Sequence, residues 1–162
     1  MILEEELLQS LAIAPIEKRA ITNLRTLNEA YDYPKPSSFS RGMRIDLNGL
    51  AILLISGTAS IDENGQSVHQ GDFRAQLRRT FENITMLLES EGATWKDIVR
   101  TTCYLRDIER DYEAFNEGRT EFYKEQGLDP LPASTGVQAI LCRPELLIEI
   151  EAIAMFQTPK RG

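Results

Sequence analysis

The last strand-like segment of the chain, residues 146–156, constrains the fold more than any other stretch. Its odd positions place Glu149 and Glu151 among apolar neighbours. Because removing a carboxylate from water is costly, this face is expected to line a partly dry pocket or a subunit interface. Its even positions would form one unbroken apolar core face, made of Leu146, Ile148, Ile150, Ala152, Ala154 and Phe156.

Two interpretations of this acidic pair stay open. The glutamates can simply form the wet side of an antiparallel sheet or pair with neighbouring basic side chains. Alternatively, desolvation raises the pKa of one of them towards neutrality, as a proton donor requires. A second carboxylate nearby acts in the same direction, because two adjacent carboxylates resist ionising together.

The order of apolar patterns and turn residues predicts an α+β fold. Helices and strands alternate as β-β-α-β-α-β-β, which is typical of a two-layer sandwich with helices on one face of a single sheet. Asn48-Gly49 is a hairpin signal, Asp72 caps the first helix and Gly92 ends it. Strands are predicted over 43–47, 50–56, 98–105, 134–141 and 146–156, and the second helix over 109–126. A second copy of the chain is the economical cover for the sheet's other face.

Residues 1–36 are predicted to form a helical extension and linker, residues 37–157 the main domain, and residues 158–162 a tail. Apolar residues at helical spacing precede Pro15 and resume from Ile21 to Asn28. The prolines and serines of residues 33–38 are typical of an extended linker.

Bulk properties exclude several classes of function. The net charge of −7 argues against a nucleic-acid partner, and no apolar run is long enough to span a bilayer. Glutamates follow the first three residues where a signal peptide would need positive charge, so a cytoplasmic protein is expected. The two cysteines suggest no disulfide scaffold, and His69, the single histidine, leaves no ligand set for a metal. No cofactor is expected.

Several motifs, taken together with the element order, resemble the YjgF/RidA (reactive intermediate deaminase) superfamily over about residues 39–156. They are Ser37 to Gly42, Ile55 to Ala59, Phe115-Asn116, Pro132-Ala133 and the closing Ile148 to Ala154. The resemblance implies a chorismate-mutase-like fold and a homotrimer with clefts between subunits. It also implies cofactor-independent hydrolysis of an enamine or imine, on a metabolite that carries a carboxylate, with release of ammonia and a 2-oxo acid.

Individual site residues follow from this resemblance. It assigns the water-activating glutamate to Glu149, and pocket positions to Asn116, Ser56 and Phe39, where the family usually has tyrosine. The chain departs from the family at Ser134, where active imine deaminases carry an arginine that binds the substrate carboxylate. A serine supplies no planar positive charge, so the usual 2-iminoacid hydrolysis needs another cation.

Two arginines are candidates to replace the missing one. Arg41 lies beside Phe39, and Arg143 follows Cys142 at the bend between the last two strands. The alternative for each is an ordinary surface arginine. Without a histidine in any nearby motif, Cys142 is expected to be a small buried apolar residue rather than a nucleophile, and it is also counted among the candidate substrate-binding residues.

A second resemblance is to the C-terminal half of chorismatases, which hydrolyse an enol ether with a glutamic acid as proton donor. It depends on residues 56–61, residues 69–72 with Gln76, and Leu141-Cys142-Arg143 followed by Glu149. A third alternative is a trimeric ligand-binding protein that has lost the chemistry.

Overall fold

The computed structural model describes residues 15–25 and 27–159, which contain one six-stranded sheet and two α-helices. The strands are β1 (Glu17–Ala20), β2 (Gly42–Leu47), β3 (Leu50–Ala59), β4 (Ile98–Leu105), β5 (Ala133–Gln138) and β6 (Ile148–Gln157). The helices are α1 (Phe73–Ser90) and α2 (Ile108–Glu125), and short 3-10 helices cover Ala30–Asp32 and Trp95–Asp97.

The strands lie in the order β1-β2-β3-β6-β4-β5. Neighbouring strands are antiparallel except for β4 and β5, which are parallel and joined by α2. Asn48 and Gly49 turn the β2–β3 hairpin with φ angles of 49° and 82°, the left-handed conformations that such a tight turn needs. The predicted α+β class is therefore confirmed.

The two faces of β6 differ as the alternation predicts. Ile148, Ile150 and Ala154 are 0% exposed and belong to the core beneath the helices. Phe81, Trp95 and Phe122 form an aromatic cluster in that same core. On the opposite face Glu151 and Met155 are exposed, so the described part of one chain leaves that face of the sheet open to solvent.

The predicted helix ends are also found. The Asp72 carboxylate accepts a hydrogen bond of 3.0 Å from the Ala75 amide, and Gly92 ends α1 with a φ of 73°. None of the helices in the described residues is long and apolar enough to cross a membrane.

The predicted helix over residues 21–28 is wrong. Residues 17–20 instead form β1 and pair with β2, and the Ile21 amide continues this pairing with a 2.9 Å hydrogen bond to the Gly42 carbonyl. Ile21 and Leu27 are 0% exposed, but Leu24, on the same predicted helical face, is 66% exposed. At the other end of the segment, the Asn28 amide donates to the Glu63 carbonyl at 3.1 Å. Backbone partners distant in sequence therefore outweigh a weak helical pattern.

Two parts of the N-terminal prediction have different outcomes. The helix predicted before Pro15 lies outside the described residues. The domain boundary after residue 36 stays a prediction, although residues 17–20 contribute a strand to the main sheet.

Candidate functional site

A cleft of about 450 Å³ opens beside β6, between β3, the β5–β6 loop and the end of the N-terminal segment. It brings together five of the residues that the sequence singled out, which are Phe39, Ser56, Cys142, Arg143 and Glu149. Tyr33 and Glu151 also line it. Residues far apart in sequence therefore share one concave surface with an acid group in it.

The position of the Glu149 side chain depends on a glycine in the neighbouring strand. Glu149 pairs with Ala59 of β3 on one side and with Tyr104 of β4 on the other. The β3–β6 register shifts between Ile55 and Thr58, a stretch that contains Gly57. A Cβ atom at Gly57 would lie only 2.9 Å from Cδ of Glu149, so the carboxyl group occupies the space that any other residue would fill.

The surroundings of Glu149 favour its protonated form. Burial raises the pKa of the Glu149 carboxyl, and the charge of Glu151 raises it further. Within the described residues, no side chain forms an ion pair or hydrogen bond with Glu149. Glu151 is placed differently, because it is exposed and accepts a 3.2 Å hydrogen bond from the Tyr104 hydroxyl. The cleft therefore holds a carboxylic acid suited to giving up a proton.

Ser56 and Phe39 form part of the wall of the cleft. The Ser56 hydroxyl donates its proton to the Ser40 carbonyl at 2.7 Å, so its lone pairs can accept a hydrogen bond from a bound molecule. Phe39 is 42% exposed and presents an apolar ring. In the described parts of the chain, no cluster of His, Cys, Asp and Glu side chains could hold a metal ion.

Arg41 is buried behind the cleft, so the alternative of a surface arginine is wrong. It is 4% exposed, and its Nε and Nη2 atoms donate to the Asn28 carbonyl at 3.1 and 2.9 Å. Its guanidinium lies 5.0 Å from the ring centre of Tyr33 and 5.6 Å from that of Phe39. Burial lowers the pKa of Arg41, and the charge of Glu29 opposes this effect. The Asn28 carbonyl of the N-terminal segment therefore engages two of the three guanidinium nitrogens of Arg41.

Glu29 is a buried acid that the sequence analysis missed. It is 1% exposed, and neither of its carboxyl oxygens has a hydrogen-bond partner within the described part of the chain. Burial raises its pKa, while the charge of Arg41 lowers it less strongly. No sequence signal marks it, since its burial depends on how the N-terminal segment folds onto the sheet.

The β5–β6 loop holds Cys142 and Arg143 at the cleft. Arg143 is not free on the surface, because its Nη1 atom donates to the Gly65 carbonyl at 2.6 Å and to the Ser67 hydroxyl at 3.1 Å. Cys142 is exposed, so the expectation of a buried apolar residue is wrong. The strands on either side end earlier and start later than predicted, at Gln138 and Ile148.

Two side chains hold this loop in place. Arg106 donates to the carbonyls of Leu146 and Arg143, each at 2.6 Å. The buried Gln76 donates to the Glu145 carbonyl at 3.0 Å and accepts from the Leu147 amide at 2.8 Å. Backbone groups satisfied by side chains do not need a strand partner, which is why the loop replaces the predicted ends of the strands.

Asn116 and Ser134 lie apart from this cleft, at the place where α2 packs beside β5. Both contact Arg119, whose Nη2 donates to Asn116 Oδ1 at 2.8 Å and whose Nη1 donates to Ser134 Oγ at 3.1 Å. Ser134 also accepts from the Thr101 hydroxyl at 3.1 Å, on the helix-covered side of the sheet. Within one chain, then, the structure does not bring these two predicted pocket residues to Glu149. The sequence analysis missed Arg119, which had no distinguishing pattern.

Comparison with known families supports the assignment that the fold suggests. The family model for endoribonuclease L-PSP matches residues 35–156. The chain therefore belongs to this family, and its resemblance to the YjgF/RidA superfamily is confirmed.

Individual relatives agree with this assignment. The chain is 38% identical over 103 residues to the 3-aminoacrylate deaminase RutC of Acinetobacter baylyi, a match that covers 64% of this chain and 78% of that protein. It is 32% identical over 122 residues to a RutC family protein of Pyrococcus abyssi, covering 75% of this chain and 89% of that protein. The crystal structure of the YjgF gene product of E. coli superposes with a TM-score of 0.66 at 27% identity, covering 84% of this chain and 97% of that one.

Proposed function

We propose that this protein is a cofactor-independent hydrolase of the YjgF/RidA type that adds water to an enamine, an imine or a related unsaturated carboxylate. The observation that carries the proposal is the Glu149 carboxyl, which lies over Gly57 in a cleft where burial raises its pKa. The deaminase activity named for the Acinetobacter relative points to the same class of chemistry.

The reaction needs one acid that can also act as a base. The protonated Glu149 gives its proton to the β-carbon of an enamine. The carbon–nitrogen bond becomes a double bond, and the substrate is now an iminium ion. Water then adds to the iminium carbon as the Glu149 carboxylate removes a proton from it. After a proton moves from oxygen to nitrogen, the carbon–nitrogen bond breaks. Ammonia leaves, a carbonyl forms, and the overall change consumes one water molecule. An imine instead takes the Glu149 proton at its nitrogen and then follows the same water-addition step.

We propose further that the active unit is a homotrimer whose clefts form between subunits. Glu149 lies on the sheet face that the described residues of one chain leave uncovered, where Leu54 and Met155 are each 41% exposed. β5 is exposed along its whole length, and Ile140 just beyond it is 94% exposed. Apolar groups at these two places are suited to contact between copies of the chain.

The test is turnover of a defined substrate panel by the wild type and by Glu149→Gln. The panel contains imines and enamines of small 2-oxo acids, and chorismate with related enol ethers, with ammonia or pyruvate as the product measured. We expect ammonia from the first group and at least about a hundredfold loss in the variant, because glutamine cannot transfer a proton. Circular dichroism should show that the variant keeps its fold.

Two other outcomes would assign a different function. Pyruvate from chorismate without ammonia from imines would identify the chorismatase-like alternative. Gln76 is one of the residues on which the chorismatase resemblance depends, and in this structure its side chain bonds the backbone of the β5–β6 loop. Binding of small carboxylates without any turnover would identify a trimeric ligand-binding protein. Equal turnover by the wild type and Glu149→Gln would remove Glu149 from the mechanism.

A further inference from the structure

We infer that Arg119 is the guanidinium that binds the substrate carboxylate, reaching the Glu149 cleft of a neighbouring subunit. This inference rests on the proposed function and names the residue that performs one part of it. Arg41 is poorly placed for this role, because it is 4% exposed and its Nε and Nη2 atoms already donate to the Asn28 carbonyl. Arg143 has its Nη1 atom committed to Gly65 and Ser67.

The first support is the charge balance around Arg119. Within the described residues it forms no ion pair with a carboxylate, whereas Arg19, Arg44, Arg74 and Arg110 all do. Its two hydrogen-bond partners, Asn116 Oδ1 and Ser134 Oγ, are both neutral. No carboxylate among the described residues therefore balances the positive charge of this guanidinium, which can attract an anion.

The second support is that Arg119 is held in place before any ligand arrives. Its guanidinium carbon lies 4.6 Å from the centre of the Phe115 ring, and Phe115 is 1% exposed and fixed in the core. Asn116 and Ser134 hold one nitrogen each. A cation already fixed in orientation loses little conformational entropy when it binds a planar carboxylate.

The third support is the pair of donors that this arrangement creates. Because Asn116 Oδ1 accepts from Arg119, the amide nitrogen of Asn116 points away from the guanidinium and can donate to a ligand. A carboxylate can thus accept from Arg119 and from Asn116 together. Ser134 then has a defined role, as the acceptor that positions an arginine from α2.

The location of Arg119 decides which cleft it serves. Arg119 contacts Ser134 on the helix-covered side of the sheet, where Thr101 is paired with the buried Ala152. Glu149 lies on the opposite side, so the two groups cannot meet in one chain. They can meet only when the β5 edge of one copy faces the β6 cleft of another.

The first experiment measures binding of 2-oxobutanoate, a small 2-oxo acid of the product class, by titration calorimetry. We expect Arg119→Ala to weaken binding about tenfold or more, and Arg119→Lys to restore only part of it because an ammonium is not a planar fork. Arg78→Ala, which removes an exposed arginine of α1, is the matched control and should bind as the wild type does. The methyl ester of the probe, which has no carboxylate, should bind the wild type and Arg119→Ala equally.

The second experiment tests the contribution across subunits. Arg119→Ala and Glu149→Gln chains are unfolded together, refolded as a mixture and assayed for turnover. At substrate concentrations well below KM, Glu149→Gln alone should be nearly inactive and Arg119→Ala alone about tenfold or more below the wild type. The mixture should regain activity at the sites that combine Glu149 of one chain with Arg119 of the other, about one site in four by random assortment.

The outcomes separate this inference from the proposed function. Turnover by the wild type that Arg119→Ala leaves unchanged, with unchanged KM and unchanged binding of 2-oxobutanoate, overturns the inference alone. Absence of turnover together with Arg119-dependent binding of 2-oxobutanoate overturns the hydrolase function and keeps the carboxylate site. A wild type that does not bind 2-oxobutanoate at millimolar concentration overturns the inference as well.

Discussion

The carboxyl group of Glu149 occupies the volume that a side chain at Gly57 would need, with Cδ only 2.9 Å from the position of a Cβ atom there. The acid and the glycine lie on neighbouring strands where the β3–β6 register shifts. A methyl group added at Gly57 would meet the flexible end of the Glu149 side chain. It would therefore move the acid without disturbing the backbone of the fold.

Gly57→Ala should therefore lower turnover strongly while the fold is retained. The added methyl group displaces the Glu149 carboxyl from its place, and a displacement of about 1 Å can cost about a hundredfold in rate. Steady-state kinetics and thermal unfolding should be measured on the same preparation. Full turnover, or a large drop in melting temperature with the fold lost, would contradict this account of Gly57.

The pH profile of turnover should depend on Glu151. Burial and the Glu151 charge both raise the pKa of Glu149, and the active form carries the proton, so activity is lost as pH rises through that pKa. Glu151→Gln removes the charge and should move this loss of activity to lower pH. Tyr104→Phe removes the hydroxyl that donates to Glu151 without changing the charge, and serves as the control. An unchanged pH profile in Glu151→Gln would contradict the proposed coupling.

The stability of the protein should carry a pH signature from Glu29. Burial raises the pKa of Glu29 in the folded state, so the folded chain keeps a proton that the unfolded chain releases. Its contribution to the free energy of unfolding therefore falls as pH rises from the ordinary glutamate range to the raised pKa. It then stays constant above that pKa.

Glu29→Gln should remove this fall, so its free energy of unfolding should gain on that of the wild type as pH rises. Denaturant unfolding at a series of pH values measures the difference. A wild type that instead gains stability relative to Glu29→Gln as pH rises would show that the ion attraction of Arg41 outweighs the burial of Glu29.

The aromatic cluster should dominate the stability of the helical layer. Phe81 is 2% exposed, stacks on Phe122 at 4.4 Å between ring centres and meets the Trp95 ring edge-on at 5.5 Å. Phe81→Ala should lower the free energy of unfolding by about 3–5 kcal/mol, through lost burial and the cavity that remains. Tyr112→Ala, at a position 48% exposed on α2, should cost less than about 1 kcal/mol. Chemical denaturation of both variants is the measurement.

Local patterns were sufficient to predict the main domain. The alternation along β6, the Asn48-Gly49 turn and the cap at Asp72 each depend on a few adjacent residues, and the structure has all three. The family resemblance led to Glu149, Ser56 and Phe39, and these side chains do lie together in one cleft.

Features that depend on contacts distant in sequence were not predictable in this way. The helix expected over residues 21–28 gives way to contacts with distant segments, because the Ile21 amide donates to the Gly42 carbonyl and the Asn28 amide to the Glu63 carbonyl. No local pattern reveals such partners. Arg41 and Arg119 show the same limit for side chains. A long arginine side chain takes its role from whatever it reaches, here the Asn28 carbonyl and the Ser134 hydroxyl.

The charged sequence of β1 affects the tendency of this protein to aggregate at high concentration. β1 pairs with the more apolar β2, and it is the edge strand on that side among the described residues, with Glu17, Lys18 and Arg19 exposed. Exposed strand borders can recruit strands from other molecules and seed aggregates, and charged side chains there oppose such growth. Trimming the chain back to Phe39 would remove the partner strand of Met43 and Ile45 and should increase aggregation.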